Sequence, residues 1–440
     1  MVKSIRELSK AELSGKRVLL RVDFNVPQDS QGNITDDSRI VAALPTIKYL
    51  RDNEARIILV SHLGRPDGKA VDKLRLDPIA KRLTELIGVS IIKLDEAIGV
   101  DVEAKVAALG KGGIILLENI RFYPGEEAND LEFSKQLAKL ADLYVNDAFG
   151  TAHRAHASTA GVASYLSPAV AGFLMEREVK MLGDKLNEPE RPFTAIIGGS
   201  KVSSKISVLK NLVPKVDTLI IGGGMAFTFL KAQGGQIGKS ICEMNHLDTA
   251  REILSLADQF NTALILPEDS MVTPAEDVKG AAINIFDKYQ TNEEFPVQVC
   301  NSREIDPKWQ GMDIGPKTIK QFTKLIEQSK TVVWNGPVGV FEYDILEDGT
   351  RAVADALVKL TAKGGTTIIG GGDSVAALEK FGMAKEKFTH VSTGGGASLE
   401  FLEGKTLPGL ACLDGYNTGN EEPETKASRS FADELKKARV

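Results

Sequence analysis

Short, nearly continuous apolar runs rich in β-branched residues recur along this chain and alternate with stretches of helical spacing. The first half predicts strands at Arg17–Val22, Arg56–Ser61, Val89–Leu94, Gly113–Leu117 and Leu143–Asn146. The second half predicts strands at Phe193–Gly198, Asp217–Ile221, Ala263–Leu266, Thr331–Trp334, Thr366–Ile369 and His390–Ser392. Apolar strands that alternate with helices indicate parallel sheets covered on both faces. We therefore expect an α/β fold of two doubly wound, Rossmann-like domains.

A chain of 440 residues is too long for one ordinary core, which also favours two domains. Between them, Met175, Val179, Leu182 and Leu186 are spaced as one face of a helix, which predicts a connecting helix over Ala171–Leu186. The expected boundaries are 1–170 with 405–415 for the first domain, 171–188 for the connecting helix and hinge, 189–404 for the second domain, and 416–440 for a polar extension.

Composition and charge exclude several classes of protein. A net charge of −6 argues against a general nucleic-acid binder, and no run of 18 apolar residues is present to cross a membrane. The first residues lack an apolar signal core, so a cytoplasmic location is expected. The three cysteines, Cys242, Cys300 and Cys412, are odd in number and far apart in the sequence, and they match neither a metal-binding nor a disulfide pattern.

Arginine, histidine and small polar side chains follow four predicted strands of the first half. They are Asp23 and Asn25, His62 and Arg65, Arg121, and finally His153, Arg154 and His156. Ligands of open α/β sheets bind at the carboxyl ends of the strands, and guanidinium groups suit phosphate and carboxylate oxygens. We expect a small ligand that carries both groups. Taken singly, Asp23 and Asn25 are also typical turn residues, and any one arginine is typical of a solvated surface.

Glycine turns dominate the second half. Three triple-glycine turns, at 222–224, 370–372 and 394–396, and a Gly198-Gly199 pair before Lys201 and Lys205 each connect a strand to a helix. Bare glycine backbone at a helix N-terminus binds phosphate. Val202, Ile206, Leu209 and Val213 have the spacing of one buried helical face, which places Lys201 and Lys205 in the first turns of that helix. A solvated lysine pair is the alternative for Lys201 and Lys205. Asp373 fits either a helix N-cap or a ligand of Mg²⁺.

Two common nucleotide-binding motifs are not present. No glycine cluster satisfies G-x-G-x-x-G, and the two sequences that resemble the end of a Walker A loop have Gln233 and Leu399 where glycine is required. A Rossmann dehydrogenase and a P-loop ATPase are therefore not supported.

Taken together, these stretches closely resemble the phosphoglycerate kinase family from about residue 3 to residue 415. The stretches that carry the resemblance are Arg21–Pro27, Ser61–Pro66, Leu117–Phe122, Asn146–Ser158, Gly198–Ile206, Gly222–Phe229, Trp334–Glu342, Gly370–Ala376 and Ser392–Gly409. Two positions depart from the usual pattern, because Ser200 and Ser204 stand where Ala and Asp are common. The polar tail after Gly415 also exceeds the usual length.

The resemblance implies a role for each matching residue. The triose, its phosphate and its carboxylate would be held by Asp23, Asn25, Arg39, His62, Arg65, Arg121 and Arg154. The nucleotide would be held by Gly199, Lys201, Lys205, Gly222, Gly223, Asn335, Glu342, Gly371, Gly372, Asp373, Ser374, Gly394 and Gly395. Asp373 would bind the metal and Glu342 the ribose, while Lys201 and Arg39 would act on the phosphoryl group during its transfer.

The resemblance further implies reversible transfer of a phosphoryl group from 1,3-bisphosphoglycerate to ADP, with Mg²⁺, by a monomer without nucleic-acid or membrane partners. Because the carboxylate acceptor is already ionised at pH 7, no general base is expected. Closure of the two domains about the connecting helix is expected to precede chemistry. A non-catalytic nucleotide-binding relative and a kinase for another carboxylate substrate are the alternatives.

Overall fold

The computed structural model describes residues 2–275 and 296–416. The chain divides into two compact units. Unit 1 contains the residues up to Lys180 and the chain from Thr406 onward, and unit 2 contains Met181–Lys405. The expectations for the polar extension beyond Tyr416 lie outside the described residues.

Unit 1 is built on a six-stranded parallel sheet in the order β3-β4-β2-β1-β5-β6. Its strands are β1 (Arg17–Arg21), β2 (Arg56–Val60), β3 (Ile92–Lys93), β4 (Ile114–Leu116), β5 (Leu143–Asn146) and β6 (Ala169–Ala171). Its helices are α1 (Lys10–Leu13), α2 (Ser38–Asp52), α3 (Asp77–Ile87), α4 (Val100–Ala107), α5 (Pro124–Glu127), α6 (Leu131–Ala138) and α7 (Phe173–Val179), with α16 (Pro408–Ala411) contributed by the end of the chain.

The five strands predicted in the first half are confirmed, and β6 was not predicted. Residues Val18, Leu19 and Leu20 of β1 are fully buried, although successive side chains of a strand point to opposite faces. Both faces of the sheet are therefore covered, as a parallel sheet requires. The strand expected over Val89–Leu94 is reduced to Ile92 and Lys93, and Ile92 is 48% exposed at the sheet edge.

Unit 2 contains a second six-stranded parallel sheet, in the order β10-β8-β7-β15-β16-β17. The strands of this sheet are β7 (Phe193–Ile197), β8 (Thr218–Ile221), β10 (Ala263–Ile265), β15 (Thr331–Asn335), β16 (Thr366–Gly370) and β17 (His390–Val391). The helices among the described residues of unit 2 are α8 (Lys185–Asn187), α9 (Ile206–Leu212), α10 (Met225–Ala232), α11 (Leu247–Gln259), α12 (Pro316–Gln328), α13 (Asp348–Ala362), α14 (Gly372–Lys380) and α15 (Gly396–Leu402). The prediction of two parallel α/β sheets is confirmed.

Two small sheets of unit 2 were not predicted. They consist of β9 (Gln236–Ile237) paired with β13 (Glu304–Ile305), and of the antiparallel set β12 (Gln298–Asn301), β11 (Asp269–Pro274) and β14 (Trp309–Ile314). These strands carry polar residues, so they lack the continuous apolar pattern that identified the parallel strands.

The connecting segment differs from the predicted single helix. Ala171 ends β6, helix α7 covers Phe173–Val179, and a π-helical stretch over Lys180–Asp184 precedes α8. The predicted buried face is correct, since Met175, Val179, Leu182 and Leu186 are each at most 8% exposed. The spacing of four and three residues is compatible with a wider π turn, which is why the pattern did not reveal it.

The end of the chain completes unit 1. The Lys3 backbone N–H donates to the Asp414 carbonyl at 2.7 Å, and the Gly409 N–H donates to the Ala152 carbonyl at 2.8 Å. In the described part of the chain, none of the helices is both long enough and apolar enough to span a membrane.

Candidate functional site

The predicted anion-binding residues of unit 1 follow strands that are neighbours in the sheet. Arg21, the last residue of β1, is in register with Val60 of β2 and Asn146 of β5, so the loops after these three strands leave the same sheet edge. The loop after β1 continues into α2, which carries Arg39 in its first turn. The sheet topology therefore brings together side chains that are far apart in the sequence.

Asp23 is the centre of this cluster. Arg39 Nη1 donates to Asp23 Oδ2 at 2.8 Å, and His62 Nδ1 lies 3.7 Å from Asp23 Oδ1. The Asn25 backbone N–H donates to Asp23 Oδ1 at 3.2 Å, while Asn25 Oδ1 accepts from the Gly64 N–H at 2.8 Å. Asp23 and Asn25 thus shape the turn, and both contact residues of the neighbouring loop.

The remaining predicted residues of unit 1 differ in exposure. Arg121 is 6% exposed, donates through Nη1 to the Gly64 carbonyl at 2.9 Å, and lies 3.3 Å from Glu127 Oε1 through Nε. Arg154 is half-buried and donates to His153 Nε2 at 3.2 Å, whereas Arg65 is exposed. The loop of Gly64 therefore contacts both Asn25 and Arg121, and it carries Arg65 to the surface.

Three buried residues beneath this cluster were not predicted as site residues. Arg21 is fully buried and donates through Nε to Ser158 Oγ at 2.8 Å. Ser158 Oγ donates in turn to Glu126 Oε1 at 2.7 Å, and the Ser158 N–H donates to Glu126 Oε2 at 2.9 Å. The one available sequence signal was an arginine at the end of an otherwise apolar strand, since a fully buried guanidinium requires polar partners.

The concentration of positive charge affects the histidines of the cluster. Burial, followed by the charges of Arg21, Arg121 and Arg39, lowers the pKa of His62 well below its ordinary value. Burial and neighbouring arginines also lower the pKa of His156 to about 4. Both imidazoles are therefore neutral at pH 7, and the arginines supply the positive charge.

The glycine turns of unit 2 meet at one edge of its sheet. Asn335, the last residue of β15, is in register with Ile197 of β7 and Gly370 of β16. The loops after these strands surround a cavity of about 270 Å³. It is lined by Gly198, Gly199, Ser200, Ser204, Lys205, Asn335, Gly336, Gly371, Gly372, Asp373, Gly395, Gly396 and Leu399. Gly199 and Gly371 have φ angles of 118° and 88°, which glycine adopts without strain.

Polar groups face this cavity from two sides. Lys205 is half-buried, donates to Asn335 Oδ1, and has its pKa lowered by burial, which the carboxylates of Asp373 and Glu403 partly offset. Asn335 is 1% exposed, and its Nδ2 has no hydrogen-bond partner among the described residues. Asp373 is exposed on the first turn of α14, whose N-cap is Gly371. The N-cap alternative for Asp373 is therefore wrong.

The segment around Lys201 corrects one expectation. Helix α9 begins at Ile206, so Lys201 and Lys205 precede the helix and do not lie in its first turns. Ile206 is half-buried, whereas the other members of the predicted apolar face, Val202, Leu209 and Val213, are fully buried. Lys201 is exposed, and the Ser204 hydroxyl donates to its carbonyl at 2.9 Å. The glycine-rich approach to the helix is longer than the apolar spacing indicated.

Other predicted nucleotide residues lie outside the lining of the cavity. The N–H groups of Gly222 and Gly223 donate to the carbonyls of Ile197 and Val338, at 3.0 and 2.8 Å. The hydroxyl of Ser374 is buried and accepts from the Gly336 N–H at 2.7 Å. The exposed Glu342 and the buried Gly394 also belong to this group.

One segment, 336–340, connects the glycine turns, and Asp313 lies against it. Pro337 and Val338 accept backbone hydrogen bonds from Gly199 and Gly223, at 3.0 and 2.8 Å. Asp313 Oδ2 accepts from the Gly349 N–H at 2.7 Å. A Cβ atom on Gly339 or Gly349 would overlap the Asp313 carboxyl group, so both positions require glycine. Asp313 thus packs between the segment and the start of α13.

The Asp313→Asn variant is expected to weaken the pH dependence of stability. Burial raises the pKa of Asp313 from 3.8 to about 8, so the folded state binds this proton more tightly than the unfolded state. The stabilising contribution is complete below about pH 4 and is lost as the pH rises towards 8. Urea unfolding at about pH 5 and about pH 9 should show a smaller loss of stability in the variant than in the original protein.

The matched control is Asp355→Asn, because Asp355 is exposed on α13. This control should follow the pH dependence of the original protein. Parallel curves for Asp313→Asn and the original protein would show that Asp313 does not gain a proton on folding.

Comparisons with known proteins agree with the resemblance of the sequence. The sequence model of the family described as "Phosphoglycerate kinase" matches residues 8–405. The phosphoglycerate kinase of Synechococcus elongatus is 54% identical over 94% of this chain and 98% of its own length. A protein of Nicotiana tabacum named "Phosphoglycerate kinase, cytosolic" is also 54% identical, over 94% of this chain and 98% of its own length.

Two solved structures share the fold. The phosphoglycerate kinase of Coxiella burnetii superposes with a TM-score of 0.82 at 44% identity, and that of Pyrococcus horikoshii with 0.74 at 31% identity. Each comparison covers 94% of this chain and 98% of the other chain. With both sheet edges and their polar clusters in place, the chain belongs to the phosphoglycerate kinase family.

Proposed function

We propose that this protein transfers a phosphoryl group reversibly from 1,3-bisphosphoglycerate to ADP, which gives 3-phosphoglycerate and ATP. Membership of the family supports this reaction, because the relatives compared above are named phosphoglycerate kinases. The structural observation that carries the proposal is the glycine-lined cavity of unit 2. Its half-buried Lys205 and the buried amide of Asn335 suit the phosphate groups of a nucleotide.

The cavity supports the binding of phosphate in particular. The first N–H groups of α14 have no partners within the helix, and this helix begins in the cavity lining with Gly372. Asn335 Nδ2 is a buried donor that a phosphate oxygen would satisfy. We assign Glu342 to the ribose by its correspondence with the family, and Gly222 and Gly223 to the nucleotide base because a flat ring can lie against bare glycine backbone. The two glycines contribute bare backbone because their N–H groups are already used.

The residues present fit Mg²⁺ bound together with a nucleotide. Asp373 places an exposed carboxylate in the cavity lining, while residues 2–275 and 296–416 hold no group of three or more His, Cys, Asp or Glu side chains arranged for a metal. Mg²⁺ is commonly held by one or two carboxylates together with substrate phosphates. When bound, the ion would neutralise charge on the transferred group. Asp373 is the residue that would hold it.

The Asp373→Asn variant is expected to bind ADP about tenfold to a hundredfold more weakly when Mg²⁺ is present. The substitution removes the proposed carboxylate ligand but preserves the side-chain size. Calorimetric titration with ADP, in Mg²⁺ and in EDTA, measures the effect, and affinity in EDTA should change much less. The control is Glu379→Gln, an exposed carboxylate on the same helix. An equal loss of affinity with and without Mg²⁺ would contradict the metal assignment.

We assign the cluster around Asp23 in unit 1 to the triose. The assigned residues are Asp23, Asn25, Arg39, His62, Arg65, Arg121 and Arg154. Arginine side chains from α2 and from the loops after β2, β4 and β5 supply guanidinium groups for a phosphate and a carboxylate. Because His62 is neutral at pH 7, it would contribute a hydrogen bond to the ligand and not charge.

The chemistry requires positioning and charge neutralisation more than proton transfer. The carboxylate of 3-phosphoglycerate is ionised at pH 7, since carboxyl groups have ordinary pKa values near 4. Phosphoryl transfer depends chiefly on alignment and on cations that meet the developing charge. We assign these tasks to Arg39 of unit 1 and Lys201 of unit 2. The connecting segment 171–188, with its π-helical stretch, is the proposed hinge, and a cytoplasmic monomer is the proposed working form.

A coupled assay tests the proposal. It follows ATP consumption that depends on 3-phosphoglycerate, with and without Mg²⁺, and compares acetate and aspartate as acceptors. We expect ATP consumption only when both 3-phosphoglycerate and Mg²⁺ are present, and none with acetate or aspartate as the acceptor. Turnover with another acceptor would support a kinase for a different carboxylate, and nucleotide binding without turnover would support a non-catalytic relative.

A further inference from the structure

A line of polar contacts runs beneath the triose-binding cluster and ends at Glu126. It passes from Glu126 to the hydroxyl of Ser158, then to the guanidinium of Arg21, and then to the imidazole of His62. Glu126, Ser158 and Arg21 are fully buried, and His62 is 3% exposed. None of the assigned roles above includes Glu126 or Ser158.

Each hydrogen bond along this line has a fixed direction. Both oxygens of Glu126 face donors, because Oε2 accepts from the Ser158 N–H at 2.9 Å and Oε1 accepts from the Ser158 hydroxyl at 2.7 Å. Burial raises the pKa of Glu126, but the charge of Arg21 and the two hydrogen bonds from Ser158 oppose this effect and favour the ionised carboxylate, which accepts at both oxygens. The single hydroxyl proton of Ser158 is therefore directed to Glu126, and its oxygen accepts from Arg21 Nε at 2.8 Å.

The direction of the last contact determines the state of His62. Arg21 Nη2 lies 3.2 Å from His62 Nδ1, and a guanidinium group only donates hydrogen bonds. His62 Nδ1 must therefore be the acceptor, so the proton of the neutral imidazole is on Nε2. Asp23 Oδ1, at 3.7 Å from the same Nδ1, is too far for a hydrogen bond and would favour the opposite tautomer.

We propose that Glu126 is a positioning residue that, through Ser158 and Arg21, keeps His62 in the tautomer whose Nε2 donates a hydrogen bond to the anionic triose. This inference rests on the proposed function, because it takes His62 to be a ligand of the triose. Glu126 also balances the buried charge of Arg21, whose hydrogen bonds go to Ser158, to His62 and to the Val22 carbonyl.

We call the line of contacts from Glu126 through Ser158 and Arg21 to His62 the relay. The Glu126→Gln variant interrupts this relay with little change in side-chain volume. Its amide has one oxygen for two facing donors, so it cannot accept from both the N–H and the hydroxyl of Ser158. The Ser158→Ala variant removes the hydroxyl but keeps the backbone hydrogen bond to Glu126, and it tests the relay with a smaller change in buried charge. Glu132→Gln is the matched control, since Glu132 is exposed on α6 and lies 3.8 Å from the exposed Lys135, outside this line of contacts.

The tautomer is measured by ¹⁵N NMR of the histidine rings, with two-bond correlations to the ring protons. The chain contains five histidines, so the His62 signals can be assigned by their loss in a His62→Gln variant. We expect an Nε2-protonated ring in the original protein and in Glu132→Gln. In Glu126→Gln and Ser158→Ala we expect protonation to move towards Nδ1, because Arg21 is then held less firmly against Nδ1, while Asp23 Oδ1 at 3.7 Å favours a proton there.

Calorimetric titration with 3-phosphoglycerate and with ADP gives the functional readout. The two relay variants should bind 3-phosphoglycerate at least about tenfold more weakly and bind ADP normally. An unchanged His62 tautomer in both variants would overturn the inference, even if stability or affinity fell, because the effect would then be structural only. Failure of the original protein to bind 3-phosphoglycerate would instead overturn the proposed function, and with it the role of His62 as a ligand of the triose.

Discussion

Replacing Arg39 with alanine is expected to lower turnover by about a thousandfold. Arg39 is the cation of unit 1 assigned to the transferred phosphoryl group, and its guanidinium is held by a 2.8 Å hydrogen bond to Asp23. A fixed cation that meets developing charge contributes more to the rate than to the binding of the substrate. Steady-state kinetics should therefore show a large loss of kcat with a nearly unchanged KM for ATP.

A second arginine of the same helix gives the control for this experiment. Arg51 lies near the end of α2 and pairs with Asp52 at 3.6 Å, away from the Asp23 cluster in sequence and in contacts. Arg51→Ala should keep normal turnover. Arg39→Lys should recover only part of the rate, since an ammonium group lacks the planar fork of a guanidinium. Turnover of Arg39→Ala close to that of Arg51→Ala would remove Arg39 from the proposed chemistry.

A loss of similar size, about a thousandfold, is expected for Lys201→Ala. Lys201 is exposed in the approach to α9, whereas Lys205 is half-buried and bonded to Asn335. This difference supports separate roles, with Lys205 holding nucleotide phosphate and Lys201 acting on the moving group. The substitution should reduce kcat strongly and leave the affinity for ADP and the unfolding midpoint nearly unchanged.

Lys210→Ala is the corresponding control, because Lys210 lies on α9 and forms an exposed ion pair with Glu252 at 3.1 Å. Exposed pairs of this kind contribute little to stability. A Lys201→Ala protein with a weakened affinity for ADP and normal kcat at saturation would assign Lys201 to nucleotide binding, contrary to the proposal.

The sequence predicted the parallel sheets because their strands are buried on both faces. A short, fully apolar run such as Val18-Leu19-Leu20 that lies between helices fits few structures other than a buried strand. The small sheets of unit 2 escaped prediction because strands such as β12 are short and largely exposed. The start of α9 was placed too early, since Val202 and Ile206 fit a helical spacing that the glycine-rich approach does not adopt.

The candidate site was predictable where the polar side chains follow strands. Asp23, His62 and Arg121 fall into this group, because parallel strands end at a common edge. Glu126 and Ser158 could not be identified in this way. Their proposed role depends on a hydrogen bond between residues 32 positions apart in the sequence, and the local sequence around either residue does not indicate the other.

Unit 1 is assembled from two separate stretches of the chain, and this arrangement affects the order in which the two units can fold during translation. The Asn146 side chain donates to the Gly409 carbonyl at 3.0 Å, Ala169 and Asp414 exchange hydrogen bonds, and Leu410 is fully buried. On the ribosome, these contacts form only after translation has passed residue 414. Unit 2 is formed by the continuous stretch Met181–Lys405, so it can fold before the second stretch of unit 1, which begins at Thr406, has been synthesised.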